Sequence, residues 1–456
     1  MFGIWGHHKA AEITYYGLHA LQHRGQDGAG VAVSDGSTLK LHRGLDLVND
    51  VFKDASFPEL NGHAAIGHVR YGKKAEDGID SVQPLLFRSQ TGSMALALVG
   101  SIMNAYELKG ELEEDGSILQ TSSDTEILAH LIKRSKKETT EEAIIEALQK
   151  VTGAYAFLML KEDRMYVALD PKGIRPLSIG KLGSGYVIAS ETCAFDLIGA
   201  SFEREVSPGE LLTINNTGVT STYFSSGETR RICGMEYVYL SRPDSDLNYV
   251  NVHTSRKEMG IELAKEAPAE ADVVTGVPDS SISAAIGYAE QSGIPYEMGV
   301  IKNRYIGRTF IQPSQELREQ GVKMKLSPVR GIVEGKRVVM IDDSIVRGTT
   351  SRRIVKMIKD AGAKEVHVRI ASPPIESPCY YGIDMSTREE LIAANYSVDE
   401  ICKQIGADSV AYLSTKGLEK AIIKKRTASQ GICNACMTGN YPVLHQKEKN
   451  KSCMQS

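Results

Sequence analysis

The run Val338-Val339-Met340-Ile341-Asp342-Asp343-Ser344-Ile345-Val346-Arg347-Gly348-Thr349-Thr350-Ser351 constrains this chain more than any other. Four apolar residues lead straight into two adjacent carboxylates. That puts the acids at the carboxyl end of a buried strand, where open α/β sheets bind their ligands. Gly348-Thr349-Thr350 then opens a helix. Glycine at such a turn lets backbone N–H groups approach a phosphate, and the helix N-terminus adds the positive end of its dipole. The threonine hydroxyls are further donors. An anion cradle beside two carboxylates suits a sugar phosphate, with the anion on the turn and ribose hydroxyls or Mg²⁺ on the acids. Taken alone, an acid pair before a helix has a lesser reading as a cap with no function. A Walker A loop is absent, since Glu334-Gly335-Lys336 is followed by Arg337 and not by Ser or Thr.

The rhythm of the chain places this run in the second of two domains, the number that 456 residues lead one to expect. Up to about residue 225 the pattern is short strands and turns, at 63–71, 94–99, 154–160, 164–169 and 210–213, with helices at 14–22 and 124–136. Strands so grouped predict a layered α+β domain. From about residue 226 strand and helix alternate: 272–276, 281–291, 337–341, 350–360 and 365–371, with Gly362 set to end the fourth. Alternation of this kind predicts βαβ units and a parallel sheet. The boundaries read as 1–225, 226–445 and a polar tail at 446–456.

Two other segments belong with the acid pair. Gly276-Val277-Pro278-Asp279-Ser280-Ser281 is a second glycine-led turn after a strand, suited to pyrophosphate, although an ordinary helix cap has the same letters. Lys302-Asn303-Arg304-Tyr305-Ile306-Gly307-Arg308, continued by Arg318 and Lys323-Met324-Lys325, is basic and poor in apolar anchors. A solvated loop would share that composition. Beside a pyrophosphate site it reads as a lid carrying Lys302, Arg304 and Arg308 to a leaving group.

Composition narrows the remaining classes. A net charge of -4 argues against a nucleic-acid or anionic-membrane surface. No apolar run approaches the roughly 20 residues that span a bilayer, and Met1-Phe2-Gly3-Ile4-Trp5-Gly6 lacks the features of a signal peptide. The expectation is a cytoplasmic protein. Seven cysteines, an odd number, do not read as a disulfide framework, and a metal or cluster site is the better use for some of them.

Gln22-His23-Arg24-Gly25-Gln26-Asp27-Gly28, the turn at 276–281, residues 302–313 and the run at 342–351 together resemble glutamine phosphoribosyl pyrophosphate amidotransferases of the bacterial iron–sulfur type. The resemblance covers nearly the whole chain. It implies an N-terminal nucleophile hydrolase-like glutaminase of sandwiched antiparallel sheets, followed by a type I phosphoribosyltransferase with a parallel sheet. The implied reaction is attack of ammonia on C1 of phosphoribosyl pyrophosphate, which forms 5-phosphoribosylamine and releases pyrophosphate, the first step of purine synthesis. By the same token Asp342, Asp343, Lys302 and Arg304 carry the transfer. Ser280, Ser281, Ser344, Gly348, Thr349, Thr350 and Arg308 bind substrate, and Ser280, Asp342 and Asp343 hold Mg²⁺. Cys433-x-x-Cys436 alone is a weak signal, but with Cys233 and Cys379 it matches the family's four ligands to a [4Fe–4S] cluster. A homotetramer inhibited by purine nucleotides is implied as well.

The glutaminase half departs from the family's pattern at three places. The expected Cys-Gly lies off the start of the sequence, which a misassigned start would explain. The His-Asn-Gly-Asn stretch of the oxyanion hole reads Leu98-Val99-Gly100-Ser101, and Arg70-Tyr71 continues with Gly72-Lys73. Arg70 and Asp124, matching the clamps for the carboxylate and amino groups of glutamine, are kept. The expectation is a lost glutaminase, with free ammonia or a partner glutaminase as the nitrogen source. A regulatory paralogue that binds phosphoribosyl pyrophosphate or purine nucleotides, and a transferase using another amine, are the alternatives.

Overall fold

The computed structural model describes residues 1–456 except 54–58, 73–77, 226–228, 304–325, 386, 424–429 and 444–456. Two antiparallel sheets form the frame of the first half. One has seven strands, ordered Ser201–Glu205, Ser178–Leu182, Gly185–Ala189, Phe2–Trp5, Ala64–Arg70, Gly28–Ser34 and Leu39–Gly44. The other has six, ordered Gly218–Tyr223, Glu210–Asn215, Met165–Leu169, Gly153–Leu160, Gly92–Ile102 and Leu85–Ser89. Trp5, Ala32 and Ile66 of the first meet Leu158, Val167 and Leu212 of the second in one core. Helices Ala10–Ala20 and Cys193–Ile198 cover the outer face of the seven-stranded sheet, and Ala105–Glu114, Asp124–Arg134 and Thr140–Lys150 cover that of the six-stranded one. The result is a helix–sheet–sheet–helix sandwich.

The second half is built on a sheet ordered Val273–Gly276, Arg337–Asp342, Glu365–Ile370 and Ser409–Tyr412, with every pairing parallel. Helices Val252–Glu266 and Ile282–Ser292 pack on one face, Thr349–Asp360 and Val398–Ile405 on the other. The first two approach backbone to backbone. A Cβ on Gly260 would lie 1.9 Å from the Ala284 carbonyl oxygen, and one on Gly287 equally close to that of Lys257.

Both expected classes, layered α+β and parallel α/β, are found. The expected strands and helices are present with ends shifted by a few residues, as at Asp124–Arg134 and Ile282–Ser292. Helix 14–22 begins earlier, at Ala10, and its end passes into a 3₁₀ turn, Gln22–Arg24. Helices Ala105–Glu114, Thr140–Lys150 and Cys193–Ile198 were not expected. The tail at 446–456 lies outside the described residues.

Candidate active site

The acids fall where the sequence puts them. Strand Arg337–Asp342 ends on Asp342, one residue beyond the Ile341–Gly276 pair on one side and level with Ile370 on the other, so both carboxylates emerge at the carboxyl edge of a central strand. Both are buried. The turn at 276–281, which contains a cis Pro278–Asp279 peptide, folds back over them. Ser281 Oγ donates to Asp342 Oδ1 at 3.2 Å, and Ser280 Oγ donates to Asp343. Ser344 Oγ donates to Asp343 Oδ1 at 2.6 Å. Burial drives the Asp342 carboxyl well above the ordinary range, and the neighbouring charge of Asp343 adds to it. Burial also raises Asp343, against the hydroxyls of Ser280 and Ser344 and the charge of Arg256. Two buried carboxylates set against each other attract a cation or hydroxyl donors. Carboxylate and hydroxyl oxygens are donors of the kind Mg²⁺ takes.

Gly348 caps helix Thr349–Asp360 with φ 75°, a left-handed conformation, and a Cβ there would lie 2.6 Å from Ile392 Cδ1. Glycine is thus required by backbone and neighbour alike. The first-turn N–H groups of Thr349 and Thr350 have no partner within the helix, which leaves them to a ligand or water. Of the basic segment, Lys302 ends a short strand, and its Nζ pairs with Asp279, the neighbour of Ser280, at 2.8 Å. Arg304 and Arg308 lie outside the described residues.

Two residues at this site escaped the sequence reading. Arg256, on helix Val252–Glu266, is buried, and its guanidinium is held by the carbonyls of Tyr237 (2.7 Å) and Ser241 (2.8 Å) within electrostatic reach of Asp343. Tyr239, 56% exposed, has its phenol pushed up by burial of the ring and then by Asp343, Tyr71 and Asp342. Asp342, Asp343 and Tyr71, the neighbour of Arg70, thus all act electrostatically on Tyr239, and the two halves of the chain approach each other at this phenol. Neither residue lies in a motif.

Arg70 closes strand Ala64–Arg70, and its carbonyl accepts from Asp27 N at 3.0 Å. Asp124 opens helix Asp124–Arg134 and accepts from Ile102 N at 2.7 Å and from Ser101 Oγ at 3.4 Å. Burial raises its carboxyl. The strand reading Leu98-Val99-Gly100-Ser101 therefore lies against Asp124.

A buried ionic network links residues of the two halves. Arg24 donates to Glu191 at 2.6 Å and to both oxygens of Glu236 at 2.7 and 2.9 Å. Arg175 reaches Glu236 at 3.4 Å, and Ser241 Oγ donates to it at 2.6 Å. Burial alone would raise the Glu236 carboxyl, but the charges of Arg24 and Arg175 with the hydrogen bonds from Arg24 and Ser241 together outweigh it, and the net shift is downward.

The four cysteines form a separate group. Parallel strands Arg230–Cys233 and Gln430–Cys433 put Cys233 in register with Cys433. Cys436 follows on the short helix Ala435–Thr438, and its carbonyl accepts from Glu376 N and Ser377 N at 3.0 Å. Burial lifts all three thiols, Cys433 to about 11. Cys379 acts electrostatically on each of them, so the four share one neighbourhood. Among the described residues no three His, Cys, Asp or Glu side chains are placed to hold one metal ion.

Compared with known proteins, residues 73–196 match a glutamine amidotransferase domain and residues 256–374 a phosphoribosyl transferase domain. The amidophosphoribosyltransferase of Bacillus subtilis strain 168 is 62% identical over 445 residues, 97% of this chain and 94% of that protein. That of Staphylococcus aureus strain MRSA252 is 52% identical over 454 residues, 99% of this chain and 92% of that one. The solved structure of glutamine phosphoribosylpyrophosphate amidotransferase from B. subtilis, complexed with ADP and GMP, superposes with a TM-score of 0.93 at 61% identity, covering 98% of each chain.

Proposed function

Since the chain belongs to the amidophosphoribosyltransferase family, we propose that it forms 5-phosphoribosylamine and pyrophosphate at the Asp342-Asp343 edge. The observation that carries this reading is the buried acid pair, held by Ser280 and Ser281 in front of the Gly348 turn. The 5-phosphate binds to the N–H groups and hydroxyls at Thr349 and Thr350. Asp342 and Asp343 orient the ribose hydroxyls, and positive charge developing at C1 is stabilised by their carboxylates. Mg²⁺ held by Ser280, Asp342 and Asp343 would supply charge neutralisation to the pyrophosphate. Lys302 leaves Asp279 for that leaving group, joined by Arg304 and Arg308. Arg256 fixes Asp343.

Glutamine takes Arg70 and Asp124 as its clamps. The expectation of a lost glutaminase finds no support in the comparisons, because the amidotransferase match lies within the chain and the relatives are amidophosphoribosyltransferases. Nor do they call for a separate glutaminase partner or favour a regulatory paralogue. The departure at Val99 bears on rate, since valine offers no side-chain donor to an oxyanion and one lost donor costs about a hundredfold or more. Purine nucleotides are the feedback ligands, as the ADP and GMP of the B. subtilis structure suggest.

A [4Fe–4S] cluster fits Cys233, Cys379, Cys433 and Cys436. Three buried thiols and the part-buried Cys379, all within electrostatic reach of one another, are donors of the kind such a cluster takes. Its part is structural.

The test is pyrophosphate release from phosphoribosyl pyrophosphate by anaerobically purified protein, with ammonium, with glutamine and with neither. Turnover with ammonium is expected, with glutamine slower by about a hundredfold or more. Absence of turnover with both would overturn the assignment.

A further inference from the structure

We infer that Gly382, in the transferase half, is a positioning residue for the glutamine half, setting the backbone of Gly100 beside Asp124. A Cβ on Gly382 would lie 2.8 Å from both the carbonyl carbon and oxygen of Gly100, and 3.0 Å from its Cα. Gly100 is confined on the other side too, for its own Cβ would lie 2.0 Å from the Ala154 carbonyl oxygen. Its backbone is therefore clasped between Ala154 of the neighbouring strand and Gly382 of the other half. The flanks are pinned as well. Leu98 N donates to Gln83 at 2.6 Å, and Ile102 N to Asp124 at 2.7 Å. A shift of Gly100 is thus felt at Asp124, the proposed clamp for the glutamine amino group.

The turn that carries Gly382 is itself held firmly. Arg175 Nη2 donates to the Tyr381 carbonyl at 2.5 Å, which ties the turn to the network of Glu236 and Arg24. The Tyr381 hydroxyl donates to the Val443 carbonyl at 2.7 Å and accepts from Val443 N at 2.9 Å. Tyr381 N donates to Cys379 Sγ at 3.4 Å. Gly382 thus joins the glutamine-side strand to the cysteine group through three residues. The contact demands glycine on both partners and leaves no room for slack, so movement of one backbone displaces the other.

The inference rests on the assignment of glutamine to Arg70 and Asp124. Its test uses G382A and, as a control for backbone strain, G406A. Gly406 has φ +74, close to the +91 of Gly382, but its Cβ would meet nothing within 4 Å. Hydrogen exchange of the amides at 98–102 and the dissociation constants of glutamine and phosphoribosyl pyrophosphate are measured on the full chain. G382A is expected to speed exchange at 98–102 and weaken glutamine about tenfold, with the affinity for phosphoribosyl pyrophosphate and ammonium-dependent turnover within about twofold of wild type. G406A leaves exchange at 98–102 and glutamine affinity unchanged. Should G382A not fold, Y381F removes the hydroxyl that pins the turn, adds no strain and shifts both readouts in the same direction. Unchanged exchange at 98–102 would overturn the inference, as would a rise shared evenly by the whole chain. A wild-type chain that binds no glutamine would instead refute the Arg70–Asp124 assignment, while the exchange arm still decides the contact.

Discussion

Asp342 and Glu236 are both buried carboxyls, and their environments push them in opposite directions. Asp342 titrates higher in the fold than in the unfolded chain, so the folded state holds its proton more tightly. That stability is complete below the unfolded value near 3.8 and is lost as pH rises through the folded one. At neutral pH the ligand-free pair therefore costs the fold stability. D342N is accordingly expected to raise the melting temperature of the ligand-free protein at pH 7 while abolishing turnover, and to remove the stabilisation that Mg²⁺ with phosphoribosyl pyrophosphate confers. A lowered melting temperature would contradict it. Glu236 has the reverse sign. Its contribution is present above the unfolded value of 4.5 and is lost as pH falls through the lowered one. E236Q leaves Arg24 and Arg175 buried against a neutral group, a loss of about 3–5 kcal/mol, measurable by denaturant unfolding and shrinking as pH falls toward the folded-state value. An equal loss at every pH would show that packing, not charge, is at stake.

At the scale of elements, what was legible was whatever repeats locally. The strand ending on Asp342-Asp343, the glycine cap at 348 and the helix after Ser123-Asp124 are written in adjacent letters, and each is found. Thr140–Lys150 carries a readable sign, the capping box Thr139-Thr140-Glu141-Glu142. Ala105–Glu114 had almost none, since only Leu108 and Leu112 of its ten residues are buried. Arg256 and Tyr239 were illegible for another reason. What makes them part of the site is proximity to an acid pair far along the chain, and local pattern carries no trace of it. The glycines show the same division. Gly260 and Gly110 look alike as glycines inside helices, yet a Cβ on Gly260 would strike a carbonyl oxygen at 1.9 Å while one on Gly110 meets nothing within 4 Å. G110A is therefore expected to stabilise the protein by about 0.5–1 kcal/mol, the helix propensity gained. G260A, overpacking a backbone contact, should destabilise by about 1–3 kcal/mol or more. Thermal unfolding of the two variants decides it, and a G260A protein as stable as wild type would mean the helices can slide apart freely.

For the molecule as a whole, the cysteine group ties the C-terminal segment back to the junction of the two halves. Strand Gln430–Cys433 lies parallel to Arg230–Cys233 as an isolated two-stranded sheet, and two such short strands have little stability of their own. Something besides four residue pairs must hold them in register. A cluster bound at Cys233 and Cys433 would close a loop of roughly 200 residues, and a cross-link of that span removes about 5 kcal/mol of unfolded-chain entropy by the usual chain model. The same strand pair adjoins Arg175, Glu236 and the Tyr381 turn, so its loss would loosen the contact between halves as well as the C-terminal segment. Metal-dependent folding of this kind would make the stability of the protein depend on iron. C433S is thus expected to lose iron and visible absorbance, to melt at a lower temperature, and to show fast hydrogen exchange over 230–238 and 430–438 before the parallel sheet at 337–342 opens. Because Asp342 and Asp343 sit on that sheet and not on the strand pair, ammonium-dependent turnover should fall later on heating than the exchange protection does. Iron content and melting temperature left unchanged by C433S would exclude a cluster at these thiols, and the strand pair would then have to be held by packing alone.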